Sequence, residues 1–226
     1  MTLSIVIPTL NEAAGIAAAL EALAPLRARG AEVIVVDGGS RDGTTDVARP
    51  LADFVIATPR GRAVQMNAGA AVANGDILLF LHADTRLPAN ADVLIRDALA
   101  QSRRVWGRFD LRFAGNALRL VAAMMNMRSH LTGIATGDQA MFVTRAAFAR
   151  AGGFPAIALM EDVALSARLK RLSRPLCLTA RVVTSPRRWQ AHGALRTVLL
   201  MWRLRLAFFL GADPGRLARA YGHGAD

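Results

Sequence analysis

Four short apolar runs alternate with helically spaced stretches through the first 85 or so residues, and no other feature of the sequence restricts the fold as tightly. Residues 3–8 (LSIVIP) are apolar and end on proline. Ile16, Leu20 and Leu23 follow at helical spacing, with Asn11 as the expected cap. Residues 32–36 (EVIVV) repeat the strand pattern, stop at Asp37-Gly38-Gly39-Ser40, and lead through a polar turn to a short helical segment at 44–48. A third strand is expected at 54–57, an Ala-rich helix at 62–73, a turn at 74–76, and a fully apolar fourth strand at 77–81 (ILLFL). Strands with no polar face are covered on both sides, which is the signature of a parallel sheet. The pattern therefore predicts an α/β nucleotide-binding half, whose ligands lie beyond the carboxyl ends of the strands.

The remainder has a different grain. Residues 105–113 (VWGRFDLRF) partly alternate, 118–131 suit a helix, 139–143 (QAMFV) a short strand before a helix from Arg145, and 176–184 (LCLTARVVT) another strand. Leu165, Leu169 and Leu172 share one helical face after Asp162. With no repeat or linker, the expected organisation is one domain over 1–226. It has a nucleotide-binding half at about 1–85, an acceptor half at about 86–190 and a basic helical segment at about 193–226, with the site between the halves.

Composition excludes several classes. Hydrophobic residues make up 53% of the chain, enough for a packed core, and the single cysteine, Cys177, leaves no disulfide or zinc framework. The amino terminus lacks the basic and apolar regions of a signal peptide, and no apolar run approaches the roughly 20 residues of a spanning helix. A cytosolic protein is expected, with peripheral contact at the inner membrane face as an option. The net charge of +11 is almost all arginine, and seven arginines fall after Pro186. Such an excess attracts nucleic acid, anionic lipid or phosphorylated substrates alike. Aromatic residues are few, 6%, and are not interleaved with the arginines, so nucleic acid is not the expected partner. Residues 193–210 (GALRTVLLMWRLRLAFFL) read as an amphipathic segment with Arg196, Arg203 and Arg205 at its edge. It could rest on lipid, pack on the body or join a homodimer.

Four constellations sit just after an apolar strand or at a helix start. Asp37, followed by glycines, can bond a base or ribose, although a glycine turn with a helix cap would read the same. Asp84, in His82-Ala83-Asp84-Thr85, can hold Mg2+ or Mn2+ on a diphosphate, with His82 on the same face. Glu161-Asp162 opens a helix, where carboxylates suit the dipole and one can also serve as a general base. Pro186-Arg187-Arg188-Trp189 is expected to be a loop whose guanidinium groups suit phosphate.

Taken in order, IPTLNE, VIVVDGGSRDGT, GRAVQMNAGAAVANGDILLFLHADT, TGDQAMFV, GGFP, MEDVALSARLKR and RRW resemble the family-2 glycosyltransferases, inverting enzymes with the GT-A fold. In particular they are similar to a small soluble bacterial subgroup with HADT and GDQ, some of which is associated with arsenosugar biosynthesis. The resemblance implies a mixed, mostly parallel sheet with flanking helices, and a metal-dependent transferase of the EC 2.4 type. It implies that Pro8, Glu12, Asp37 and Arg62 bind the nucleotide. Asp84 takes the metal and diphosphate role, His82 being a second metal candidate that departs from the family's D-x-D. Gly137, Asp138, Gln139, Glu161 and Trp189 are implied to lie by the donor sugar and acceptor, Arg187 and Arg188 by the diphosphate, and Asp162 as catalytic base. Polymerising members carry Q-x-x-R-W where this chain has Ser185-Pro186-Arg187-Arg188-Trp189. The expectation is a single transfer from a nucleotide-diphosphate sugar, with uridine the expected base, to a hydroxyl of a small or lipid-linked acceptor. A sugar-phosphate nucleotidyltransferase would need a glycine-rich loop after the first strand, where Thr9-Leu10-Asn11-Glu12 stands. A non-catalytic nucleotide-sugar-binding protein is the other alternative.

Overall fold

The structure, a computed structural model, describes residues 1–222, apart from the side chains of Arg188 and His192. The first half runs β1 (Leu3–Thr9), α1 (Ala13–Glu21), α2 (Ala24–Ala28), β2 (Glu32–Asp37), α3 (Thr44–Ala48), β3 (Phe54–Ala57), α4 (Arg62–Val72) and β4 (Ile77–Phe80). Then come β5 (Thr85–Arg86), α5 (Ala91–Ala100), β6 (Trp106–Phe113), α6 (Arg119–Thr132), a 3-10 turn (Gly137–Gln139), β7 (Phe142–Thr144), α7 (Arg145–Arg150) and α8 (Glu161–Leu169). The last elements are β8 (Leu176–Thr184), α9 (Arg187–His192), α10 (Ala194–Phe209) and α11 (Pro214–Tyr221).

A single eight-stranded sheet in the order β3-β2-β1-β4-β7-β6-β8-β5 crosses both halves. The four strands of the first half are mutually parallel, as the apolar runs predict. β7 is antiparallel to both its neighbours, and β5 is antiparallel to β8. Alternation along β1 and β2 explains why both strands lack a polar face. Ile5, Ile7, Val33 and Val35 pack under Ile16, Leu20 and Leu26 of α1 and α2, while Val6, Ile34 and Val36 pack against Ala63, Met66 and Ala70 of α4. The approach of α4 depends on Gly69, where a Cβ would meet Val6 Cγ1 at 2.4 Å and Val36 Cγ2 at 2.9 Å. On the far side, α10 and α11 cover the start of α8 through Leu204, Leu217, Met160 and Val163. The helix expected within 193–210 thus packs on the body. Leu195, Leu199, Trp202, Leu206 and Phe209 remain exposed at helical spacing on its other face. Among the described residues no helix is long and apolar enough to cross a membrane.

Several expectations need correction. Asn11 does not cap α1. It adopts a left-handed φ of 54°, its N–H donates to Ser40 Oγ and its Oδ1 accepts from the Arg41 N–H, so it ties β1 to the turn after β2. Residues 187–189 are helical, not a loop, because α9 starts directly after Pro186. Gln139 belongs to the 3-10 turn, and β7 begins only at Phe142. The short β5 and helices α2 and α5 add to the elements that the sequence pattern predicts. Residues 223–226 of the expected basic segment lie outside the described residues.

Candidate active site

A cavity of about 650 Å3 opens between the carboxyl end of β4 and the helices of the second half. Beyond β4 the chain turns through His82 and Asp84, both of which line the cavity, and the turn is fixed by the short β5 pairing Thr85 with Thr184. Asp84 is half-buried, accepts one hydrogen bond, from Thr85 Oγ1 at 3.3 Å, and has no ion-pair partner among the described residues. His82 Nδ1 lies 3.3 Å from Asp138 Oδ1. The histidine ring packs so closely on the 3-10 turn that a Cβ at position 137 would meet its Nε2 at 2.4 Å, which makes Gly137 obligatory there.

The start of α8 lines the cavity as well. Met160 holds a left-handed φ of 70°, a strained conformation for a side-chain-bearing residue, and swings the first turn of the helix toward the cavity. Asp162 Oδ2 accepts from the Gly137 N–H at 2.8 Å and Oδ1 from the Val163 N–H at 2.7 Å, which fixes the carboxylate plane. Glu161 is only 4% exposed, and Arg62 Nη1 stands 3.7 Å from its Oε1. Burial, and then the charge of Asp162, push the Glu161 carboxyl above its ordinary range despite Arg62. For Arg62, burial opposes the charge, but Glu161, Tyr221, Asp162 and Asp138 outweigh it and hold the proton more firmly. Burial likewise opposes ionisation of Asp138, and the hydrogen bond and charge of His82, with Arg62 and Arg205, outweigh it and keep the carboxyl below the usual range.

The sequence-predicted residues fall into three groups. Arg62, His82, Asp84, Gly137, Asp138, Glu161, Asp162, Arg187 and Trp189 all line the one cavity, Trp189 standing edge-on to Phe113 at 5.5 Å. Pro8, Glu12 and Asp37 lie outside it, at the ends of β1 and β2. Glu12 joins them to the cavity through its ion pair with Arg187 at 3.4 Å. Gln139 does not face the cavity. It is fully buried, its Oε1 accepting from the Thr136 N–H and its Nε2 donating to Asn126 Oδ1, so it braces the turn from beneath. The Arg188 side chain lies outside the described residues.

Sequence reasoning missed Arg128 on α6 and Arg205 on α10, both on the cavity wall. Each sits in a helix with an ordinary amphipathic pattern, so no local spacing singles it out. The same holds for the apolar side of the cavity, which includes Met124, Met125, Met201 and Trp202.

Mg2+ and Mn2+ are held by one or two carboxylates, with phosphate and water completing the shell. Among the described residues no three His, Cys, Asp or Glu side chains converge. Asp84 on the cavity wall therefore fits an ion whose remaining ligands would come from phosphate and water, and not one caged by protein.

The model of the family described as Glycosyl transferase family 2 matches residues 4–149. A PGL/p-HBAD biosynthesis glycosyltransferase of Mycobacterium bovis (strain BCG / Pasteur 1173P2) is 42% identical over 102 residues, 42% of this chain and 40% of that one. The match thus spans two fifths of that relative's length. Among solved structures, S. aureus TarS 1-349 in complex with UDP superposes with a TM-score of 0.69 at 18% identity, over 82% of this chain and 60% of that one. Mannosyltransferase PcManGT from Pyrobaculum calidifontis, in complex with GDP-Man and Mn2+, gives 0.64 at 24% identity, over 98% and 69%. At these identities the structural likeness is one of fold.

Proposed function

The chain belongs to glycosyl transferase family 2 and has the GT-A fold, and from that premise we propose that it transfers one sugar from a nucleoside-diphosphate donor to an acceptor hydroxyl, with inversion at the anomeric carbon. The observation that carries this reading is that Asp84 and Asp162 line the same cavity. Asp84 has no ion-pair partner among the described residues, and Asp162 is held by two N–H groups at the start of α8. A displacement at the anomeric carbon needs both a base for the attacking hydroxyl and a group for the leaving diphosphate within one site.

Asp162 takes the proton of the acceptor hydroxyl as that oxygen attacks. The N–H groups of Gly137 and Val163 keep its carboxylate aimed, and the Arg62–Glu161 pair beside it keeps a second carboxylate from taking its place. Pro8, Glu12 and Asp37 form the nucleotide edge, with uridine as the base, and Arg62 and Arg187 meet the diphosphate; Arg188 is the further candidate there. Asp138 and Trp189 border the sugar. A Mg2+ or Mn2+ ion held by Asp84 would neutralise charge building on the leaving diphosphate. The UDP of TarS and the GDP-Man and Mn2+ of PcManGT support a nucleotide-sugar donor and a divalent ion.

The test is release of free nucleoside diphosphate from a panel of UDP- and GDP-sugars, with and without Mn2+, against the Asp162→Asn protein. Release that needs both Mn2+ and Asp162 is expected. Binding of a nucleotide sugar without release, whatever the acceptor, would make the protein a binding module. Release of pyrophosphate from a sugar phosphate and a nucleoside triphosphate would make it a nucleotidyltransferase.

A further inference from the structure

Two cations on the cavity wall, Arg128 and Arg205, have no carboxylate within ion-pair distance among the described residues, whereas Arg62 has Glu161 and Arg187 has Glu12. Arg128 spends Nη1 on the carbonyl oxygen of Ile134 at 3.3 Å, while its Nε and Nη2 are shielded from water and have no hydrogen-bond partner. Those two atoms are the side-on fork of a guanidinium, the pair that grips two oxygens of one oxyanion. Arg205, from α10, brings a third buried N–H without a partner, its Nε. Burial first, then the charge of Arg205, push Arg128 down to about 10, as expected for a largely buried cation without a carboxylate partner. Arg128 feels the charge of Asp162 as well, so it stands near the base.

The elements that carry these arginines matter. Neither α6 nor α10 belongs to the nucleotide-binding half, and the same helices supply the apolar wall of Met124, Met125, Met201 and Trp202. Resting on the reading of the cavity as a transferase site, we infer that Arg128 and Arg205 form an acceptor subsite for a phosphoester group, which places the acceptor hydroxyl at Asp162 while the rest of the acceptor lies along the apolar wall. Two cations match the double charge of a phosphate monoester, where a carboxylate would leave one of them unpaired.

The experiment titrates glycerol 3-phosphate and n-decyl phosphate, the latter below its micellar concentration, into protein saturated with UDP and Mn2+, so that the donor subsite is filled. At least one probe should bind, and Arg128→Gln and Arg205→Gln should each weaken it at least tenfold while changing UDP affinity less than threefold. Arg128→Lys, which keeps the charge and loses the fork, should fall between. Equal binding of the two probes identifies a water-soluble phosphorylated acceptor. A tenfold preference for decyl phosphate, lost in Met201→Ser, identifies a lipid phosphate. If UDP binds and neither probe does, the subsite is wrong. If both arginine variants weaken UDP as much as the probes, the pair belongs to the donor diphosphate and the inference also fails. If the wild-type protein binds neither UDP nor GDP, it is the transferase reading that fails. The two substitutions lie on different helices, so a folding defect in one leaves the other decisive.

Discussion

Two aspartates at the carboxyl ends of parallel strands, Asp37 as the last residue of β2 and Asp84 four residues past β4, meet opposite fates. Asp37, at the end of β2, is 3% exposed. Its carboxylate accepts from the N–H groups of Gly39 and Ser40 and from Ser40 Oγ, so the turn closes on it. Among the described residues Asp84, in the turn after β4, receives only the Thr85 hydroxyl, and it lines the cavity. The loop after each residue makes the difference. Gly39 takes a φ of 93° and lets the backbone curl back to donate, whereas the chain after Asp84 goes straight into β5, the Thr85 N–H donating to the His82 carbonyl oxygen. A strand-end carboxylate that its own loop satisfies is held fixed and can offer a ligand one edge at most, whereas one that its loop leaves open is free to hold an ion.

The sharpest way to break this contrast is to remove each carboxylate. Asp84→Ala should abolish Mn2+-dependent nucleotide binding, read by calorimetry, and leave the melting temperature near wild type. Asp37→Ala should instead cost about 2–3 kcal/mol of stability in urea unfolding, the scale of hydrogen bonds to a charged group. Wild-type nucleotide affinity in Asp84→Ala would remove the metal assignment.

Next in size is the chemical step. Asp162→Asn keeps the shape of the side chain and its place at the helix start but cannot take a proton, so kcat should drop by at least ~100-fold with donor affinity and melting temperature near wild type. Glu161→Gln is the control. A dead Glu161→Gln enzyme beside an active Asp162→Asn enzyme would exchange their roles.

Arg187→Ala should weaken nucleoside diphosphate binding by about 1.5–3 kcal/mol if the guanidinium meets phosphate. If its part is only the exposed pair with Glu12, the loss should appear in stability alone and stay under about 1 kcal/mol.

The smallest effect is a pair of opposed pH slopes. Asp92, 1% exposed, is held below its ordinary value by hydrogen bonds from Arg29, which outweigh burial, with Arg96 adding to them. Its contribution to stability is complete above the ordinary value of 3.8 and is lost as pH falls through the lower folded value. Glu161 is raised, so its contribution is complete below 4.5 and is lost as pH rises through the folded value. The stability gap between wild type and Asp92→Asn should therefore shrink toward acid, while that between wild type and Glu161→Gln should shrink toward neutral pH. Parallel slopes in melting experiments would refute the contrast.

How much of the molecule is legible in the sequence depends on how local each signal is. The apolar runs of the first half carry the parallel strands, because burial on both faces is written into consecutive residues. Residues 44–48, 54–57 and 176–184 fall where the spacing predicts. Most of the cavity is reached by resemblance in segment order, as the one cavity that gathers His82, Asp138 and Asp162 attests. Three kinds of information are not local. The side chain of Asn11 suits a helix cap, but the Arg41 N–H claims its Oδ1 while the Asn11 N–H donates to Ser40 Oγ. Gln139 sits in sequence beside residues that line the cavity, yet a 3-10 turn rotates it into the core. Arg128 and Arg205 are brought together only by the packing of helices more than sixty residues apart in the chain, which no motif records.

The pairing of Thr85 with Thr184 bears on the order in which the molecule is made. Contacts between residues so distant in sequence close a long loop and form late. A ribosome delivers β1, β2, β3 and β4 first, and their mutual parallel pairing needs nothing downstream. The turn that carries Asp84 waits for β8, about a hundred residues later. Nascent chains can thus build the parallel platform long before the wall that carries Asp84 is in place.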